Sequence, residues 1–216
     1  MDFNGRNNRY GQVAVPDFIE HLALQAPDVL GKAKSQVVTQ LRCSQCRWVS
    51  HSDSSDILFK LYIPFDAKSN TSLSDLWEYN SLSVLSDSEA VFCGKCNRKT
   101  TQTSSRECSA DTLLIEIMRV NGHGGGSHSW SKNSIRISFP TQNLKLSKLS
   151  RSYRVIASCH HRGSIKSGHW TTKVCTSTGT WYELDDLNVK PSSTNPPGIS
   201  DSSVTVLLLI AEDKLI

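Results

Sequence analysis

The sequence has no run of about 18 apolar residues, the least that a membrane-crossing helix requires. Its longest apolar stretch, Val204–Ala211 (VTVLLLIA), has the length of a strand. No membrane role is expected. The opening residues, MDFNGRNNRYGQ, lack the apolar segment of a secretory signal, so an intracellular chain, cytoplasmic and/or nuclear, is expected. A dominant charge is also lacking: 24 Lys and Arg against 20 Asp and Glu leave a net charge of +4, too mild by itself to argue for nucleic acid. No internal repeat and no clear linker divide the 216 residues, which suit one large domain. Cysteine is present, but its count of seven is odd. Without a secretory signal, a disulfide framework is not the reading.

Four of the cysteines fall into two C-x-x-C pairs, Cys43/Cys46 and Cys93/Cys96. Each pair lets two thiolates converge on one ion from a tight turn, and two such knuckles complete a Zn²⁺ tetrahedron. A gap of 46 residues separates the pairs, longer than in a simple ribbon, so strands and a helix must fold between them. The alternatives are four unrelated buried cysteines, or a redox pair. The second is disfavoured because neither C-x-x-C precedes a helix in a βαβ pattern. Four thiolates leave no open coordination position, so the zinc would be structural. A zinc ribbon also raises a nucleic-acid reading. Against it, the knuckles carry only scattered Arg42, Arg47, Lys95, Arg98 and Lys99, with no interleaved aromatics.

Along the chain, Pro16–Gln25 reads as a short helix with Pro16 at its start and Phe18, Ile19 and Leu22 as its apolar stripe. Gln36–Leu41 and Ile57–Ile63 read as strands. Ser72–Tyr79 reads as a helix opened by a capping box from Ser72 to Asp75. Thr112–Val120, Ile135–Phe139 and Val204–Ala211 are further strands. Asn121–Asn133 is rich in Gly and Ser and reads as a mobile loop, and Pro191–Gly198 as a turn.

The densest signal is Tyr153–Val189. Tyr153–Cys159 is a buried strand, and His169–Cys175 and Trp181–Leu184 are two more, joined by a turn at Ser177–Thr180. His169 opens one strand of that hairpin and Asp185 closes the other, so the two should lie close together. A His beside a carboxylate is the base and orienter of a nucleophilic triad. The plainer reading is a loop histidine, or one satisfied within a core. Spacing alone does not choose between them.

Taken together, these pieces resemble the ubiquitin-specific proteases, thiol-dependent deubiquitinases of papain-like fold with thumb, palm and fingers. Two C-x-x-C pairs match the family's zinc-bearing fingers. Leu113–Val120 (LLIEIMRV) looks like its strand ending in Lys-Arg-Phe, and Phe139-Pro140 like its Phe-Pro. Gly168-His169-Trp170 looks like its Gly-His-Tyr, and Trp181–Asp186 (WYELDD) like its Trp-Tyr-x-x-Asp-Asp. The resemblance implies an α+β papain-like fold with a mainly antiparallel palm, zinc-ribbon fingers and a remnant of the helical thumb. It gives a thumb remnant over 1–35, fingers with adjoining palm strands over 36–110, and palm over 111–216. It implies His169 as general base, Asp185 as orienting acid, Asp186 beside it, and Zn²⁺ on Cys43, Cys46, Cys93 and Cys96. Substrate contacts fall to Asp17, Gly168 and Trp170, and the partner is ubiquitin or a ubiquitinated protein. Asn121–Asn133 and His161–Ser167 fall where the family flanks the cleft for ubiquitin's tail.

Two departures stand out. The family's Cys box, Asn-x-Cys-aromatic-Met/Leu-Asn, does not occur in the sequence. Gln12–Ile19 looks like its Gln-Gln-Asp-x-His-Glu-Phe-Leu, but Ala14 stands for Asp, Pro16 for His and Asp17 for Glu. Cys108, Cys159 and Cys175 lie in or beside expected strands, not at a helix N-terminus that would favour a thiolate. Three readings follow. The chain is a deubiquitinase segment inactive without its nucleophile, a non-catalytic ubiquitin binder, or a zinc-ribbon interaction module.

Overall fold

Thr112–Met118 and Val204–Ala211 are apolar on both faces, and a strand of that kind must be covered on both sides. In the computed structural model, which describes residues 14–30, 33–67, 69–122, 130–165, 167–192 and 200–214, these two segments lie side by side in the middle of one sheet. The chain runs α1 (Val15–Gln25), α2 (Pro27–Leu30), β1 (Ser35–Cys43), β2 (Val49–Asp56), β3 (Phe59–Tyr62), β4 (Asn70–Ser72), α3 (Leu73–Ser81), β5 (Leu82–Leu85), β6 (Val91–Phe92), β7 (Lys99–Thr100), β8 (Gln102–Ser109) and β9 (Thr112–Met118). It continues β10 (Val120–Gly122), β11 (Trp130–Lys132), β12 (Arg136–Ser138), β13 (Leu144–Lys145), β14 (Ser152–Gly163), β15 (Gly168–Cys175), β16 (Trp181–Asp185), β17 (Asn188–Pro191), β18 (Ser200–Asp201) and β19 (Val204–Ala211).

The large sheet has the order β17-β16-β15-β14-β19-β9-β3, with β13 added along part of β14. Its pairs are antiparallel except β3 with β9. A second sheet, β2-β1-β8-β5, forms an antiparallel ribbon that carries the first knuckle at one end. The architecture is α+β, as the sequence implied.

The main core lies on one face of the large sheet. Leu113, Ile115 and Ile117 of β9 meet Phe59 and Leu61 of β3, and Leu73, Leu76 and Trp77 of α3. Trp77 stacks on Phe59 with ring centroids 4.5 Å apart, and its indole N–H donates to Ser147 O at 3.0 Å. Each such fully buried side chain contributes on the order of 1.5–3 kcal/mol. Helix α3 starts where the sequence placed it: Ser72 Oγ accepts from Asp75 N at 3.0 Å, and Asp75 Oδ2 accepts from Ser72 N at 3.3 Å. On the opposite face α1 lays Val15 and Ile19 against a smaller cluster of Ala33, Leu58, Leu114 and Val206. Phe18, expected in the helix's buried stripe, is half exposed, and Pro16 is buried instead.

Several expectations need adjustment. The strand expected over 57–63 is only β3, because Ile57 and Leu58 form a bend. The loop expected over 161–167 begins later, since β14 runs on to Gly163. Val120–Gly122 and Trp130–Lys132 pair as strands at the ends of the expected mobile loop, whose centre, 123–129, lies outside the described residues. Most of the expected turn over 191–198 lies outside them too.

Candidate functional site

The β15–β16 hairpin closes through Thr176–Thr180. Thr176 N donates to Thr180 O and Gly179 N to Thr176 O, both at 2.9 Å, and Gly179 takes φ +84°. His169 and Asp185 stand at the other, open end. His169 Nε2 lies 2.5 Å from Asp185 Oδ1. Asp186 follows at φ +50°, and the donor atoms of all three residues lie within 4.8 Å of one another. The hydrogen bond that His169 donates to Asp185, then the Asp185 charge, holds the His169 imidazole above its ordinary pKa.

Side-chain parity sorts the surroundings. Arg162, Thr171 and Asp185 share the His169 face, while Trp170 turns to the face that α1 covers. There Trp170 packs on His161, ring centroids 4.6 Å apart. Lys132 Nζ donates to His161 Nδ1 at 3.1 Å, His161 O at 2.6 Å and Gly163 O at 3.1 Å. Burial, then Lys132, pushes the His161 ring below its usual pKa. Gly168 sits opposite Gly163 at the sheet end. A Cβ at Gly168 would run into the His161 ring and the Arg162 carbonyl, so only glycine allows this approach. Asp17 is exposed in the first turn of α1.

The described cysteines outside the knuckles do not meet His169. Cys159 pairs in register with Thr172, whose hydroxyl donates to its Sγ at 3.6 Å, and so faces away from His169. Cys175 is six residues along β15, roughly 20 Å at strand rise. Cys108 lies in the main core. Burial raises all three thiols, the opposite of what a nucleophile needs.

A second His–Asp pair was not seen in the sequence. His160 Nδ1 lies 3.3 Å from Asp201 Oδ2 and 3.1 Å from Ser203 Oγ, and its Nε2 lies 2.8 Å from Ser158 Oγ. Exposure separates the two pairs: the side chains of His169 and Asp185 are 51% and 37% exposed, those of His160 and Asp201 4% and 22%. A buried Ser–His–Asp chain of this kind holds strands together and admits no substrate. Beside it Arg119, 4% exposed, donates to four carbonyls, those of Val204 at 2.5 Å, Ile135 at 2.8 Å, Asn133 at 3.2 Å and Asp201 at 3.3 Å. Burial draws Arg119 down to about 10, so it stays charged.

The four knuckle cysteines converge. Their Sγ atoms lie within 4.8 Å of one another, with Cys46 Sγ and Cys93 Sγ 3.6 Å apart. A tetrahedral ion with bonds of about 2.3 Å needs S···S edges of about 3.8 Å, so the set fits Zn²⁺. The knuckles repeat each other. Arg47 and Asn97 take φ +59° and +51°, and their amides return to the Cys43 and Cys93 carbonyls at 3.0 and 2.8 Å. The Cys46 amide, then Thr100, draws the Cys43 thiol down to about 6, and the Cys96 amide chiefly lowers Cys93.

Comparison with known proteins follows the same outline. The ubiquitin carboxyl-terminal hydrolase family profile matches residues 29–208. Ubiquitin carboxyl-terminal hydrolase 21 of Homo sapiens is 26% identical over 188 residues, covering 82% of this chain and 33% of that protein. Ubiquitin carboxyl-terminal hydrolase 11 of Schizosaccharomyces pombe is 26% identical over 185 residues, covering 82% of this chain and 51% of its own length. A chain of the SAGA DUB module Ubp8/Sgf11/Sus1/Sgf73 bound to monoubiquitin superposes with TM-score 0.78 at 19% identity, covering 94% of this chain and 49% of that one. The chain thus spans a third to a half of these relatives and shares the fold of the last. With the profile covering well over half of its residues, the chain belongs to the ubiquitin carboxyl-terminal hydrolase family, among the ubiquitin-specific proteases.

Proposed function

We propose that this chain is the palm-and-fingers portion of a deubiquitinase: it binds ubiquitin and supplies the base and orienter for hydrolysis at ubiquitin's C-terminal glycine. The observation that carries the reading is the exposed His169–Asp185 pair at 2.5 Å, beside Gly168 and Trp170. With Nε2–H donating to Asp185, Nδ1 is the ring nitrogen left for a thiol. His169 then takes the proton of a cysteine thiol, and Asp185 holds the tautomer and the imidazolium. The thiolate attacks the glycine carbonyl, forming the C–S bond. His169 returns the proton to the leaving lysine amine as the C–N bond breaks. Water, deprotonated by His169, then cleaves the thioester and restores the thiol. The cysteine comes from a thumb segment bearing the Cys box that this sequence lacks. Zinc on Cys43, Cys46, Cys93 and Cys96 is structural: four thiolates close its coordination, and it ties the β1–β2 turn to the β6–β7 turn.

The test uses ubiquitin carrying a C-terminal fluorogenic amide. The chain alone gives no turnover. A thumb segment with the Cys box, added in trans, restores it, and His169→Ala abolishes the restored rate. Turnover by the chain alone that vanishes in His169→Ala would place the nucleophile among Cys108, Cys159 and Cys175 and overturn the reading. A second reading, a non-catalytic ubiquitin binder, draws on Ala14 and Pro16, which line the cleft where the family resemblance has Asp and His. It is upheld if ubiquitin binds and no thumb segment restores turnover.

A further inference from the structure

The tip of the finger ribbon is made of two hairpins locked together. Ser44 N donates to Thr101 O at 3.1 Å, and Cys43 Sγ lies 3.2 Å from Thr100 Oγ1, so the β1–β2 and β6–β7 turns form one surface. Five exposed cations cover it: Arg42, Arg47, Lys95, Arg98 and Lys99. The sequence spreads them thinly over two distant segments, and the fold gathers them. Neither segment contributes an acid, since no Asp or Glu occurs over 29–52 or 90–106. Asp87 and Glu89, in the turn before β6, are the nearest acids along the chain. Among the described residues, none of the five cations forms an ion pair with them or with any other carboxylate.

This segregation is not the habit of the rest of the surface. Lys60, Arg151 and Lys214 each have a carboxylate partner. The ribbon itself is divided: β1 meets Asp53 and Glu107 at Val38, toward its base, but Val49 and Thr103 at Arg42, toward its tip. A zinc held by four thiolates would carry two negative charges, and five cations outweigh it. Two aromatic rings stand among the cations. Trp48, 41% exposed, follows Arg47, and its six-membered ring lies over Gly94 of the other knuckle, 3.4 Å from where a Cβ would stand. Phe92, 70% exposed, pairs across β6–β7 with Lys99. Cations that track phosphates beside rings that stack on bases are the two parts of a surface for single-stranded nucleic acid. An acidic protein would answer the charge and leave both rings in water.

We propose that the finger tip binds single-stranded nucleic acid, with the five cations on phosphates and Trp48 and Phe92 stacked on bases. The site stands apart from His169. Strand β1 is nine residues long, roughly 30 Å, and Val37 near its other end already lies in the main core. The proposal is therefore independent of the deubiquitinase reading, and failure of one leaves the other standing.

The experiment follows the fluorescence anisotropy of a labelled single-stranded oligonucleotide, about 16 nucleotides long to fill one single-strand site, as the full zinc-loaded chain is added across a salt series. Log affinity should fall against log salt with a slope of about −2 to −3.5, at about −0.7 for each of three to five phosphates neutralised. Lys95→Gln, Arg98→Gln and Lys99→Gln combined should weaken binding about tenfold or more and flatten the slope by about 2. Phe92→Ala should cost about five- to hundredfold and leave the slope unchanged, because stacking releases no counterion. Zinc content is measured on every variant. If the triple variant has lost its zinc, Lys99→Gln alone decides: a slope shallower by about 0.7 upholds the proposal and an unchanged slope overturns it. Binding that ignores Phe92→Ala, or that a polyglutamate peptide displaces as well as unlabelled oligonucleotide does, identifies an acidic protein partner and overturns it. No binding at about 0.05 M salt, where phosphate contacts are strongest, overturns it as well.

Discussion

His169 and His160 sit nine positions apart in one sheet, each with an aspartate, and solvent makes them different groups. At the exposed pair, Asp185 raises the His169 pKa, so the imidazolium outlasts pH 6.5, the ordinary midpoint. The sign follows: the pair's contribution is complete below the unfolded pKa and is lost as pH climbs through the higher folded one. An NMR titration of the His169 ring is expected to show a midpoint above 6.5, falling back toward it in Asp185→Asn. An unchanged midpoint would break the assignment of orienter. At the buried pair, burial acts against ionisation, yet His160 and the Ser203 contacts hold Asp201 well below the usual carboxylate range. Glu116 goes the other way, raised from 4.5 to about 6 by burial first, with Lys60 opposing. An acid whose folded pKa is raised loses stability as pH climbs from its unfolded to its folded value. From 4.5 to about 6 that amounts to about 2 kcal/mol at most. Glu116→Gln should therefore melt higher than wild type at pH 7.5 and no higher at pH 4.5. Equal shifts at both pH values would mean that ionisation plays no part. None of these environments except His169–Asp185 was legible in the sequence. His160 and Asp201 are distant in sequence and lie on different strands, β14 and β18, which only the folded sheet arrangement brings together. Glu116 reads as one polar residue in an apolar strand, and only α1 makes it a buried one.

Elements with an apolar pattern were legible, and elements made by their neighbours were not. Helix α3 was marked by its capping box, and β9 and β19 by continuous aliphatics. Strand β2 (VSHSDSSD) and strand β8 (QTSSRECS) carry almost no apolar signal. They exist because β1 offers hydrogen bonds on both edges, pairing Arg42 with Val49 on one side and Thr103 on the other. A largely exposed ribbon of this kind buries little apolar surface, so its stability must come from a tie at its tip. The four knuckle cysteines converge at that tip, and under the proposed function a Zn²⁺ held by them is the tie. The protein as purified is expected to contain about one zinc per chain. Its removal by a chelator should abolish hydrogen-exchange protection in β1, β2, β6 and β7, while β14 and β19 keep theirs. Metal-free protein with unchanged protection in the ribbon would show that the thiols close it without a metal. Cys96→Ser should have the same effect as the chelator, because three thiolates leave the tetrahedron incomplete.

At the scale of the molecule, the order of strands in space departs from their order in the chain. The last strand, β19, lies between β14 and β9, so it joins the half of the sheet that carries His169 to the half that carries β3 and the main core. Its residues Val204, Leu207, Leu209 and Ala211 are fully buried, and its partner β9 lies some ninety residues upstream. Until β19 docks, β14–β17 have no sheet to lean on, and β9 has β3 alone on one side. Closing so long a loop is entropically unfavourable and comes before the contacts that offset it. The buried polar network depends on the same strand: Val204 O anchors Arg119, and Ser203, just before it, holds His160. A chain ending at Ser203 is therefore expected to lose cooperative unfolding altogether, with the two half-sheets separated and apolar faces open to aggregation. Because a truncation removes many contacts at once, Leu207→Ala is the finer probe. It should cost about 2–5 kcal/mol, as a cavity in a fully buried site does. Urea unfolding followed by tryptophan fluorescence measures both, since Trp77 and Trp181 are buried on opposite sides of β19. A single coincident transition from both regions in Leu207→Ala, at lower urea than wild type, is the expected result. A truncated chain that still unfolds cooperatively would show that the His169 half-sheet is a folding unit of its own, and that β19 serves only to position it.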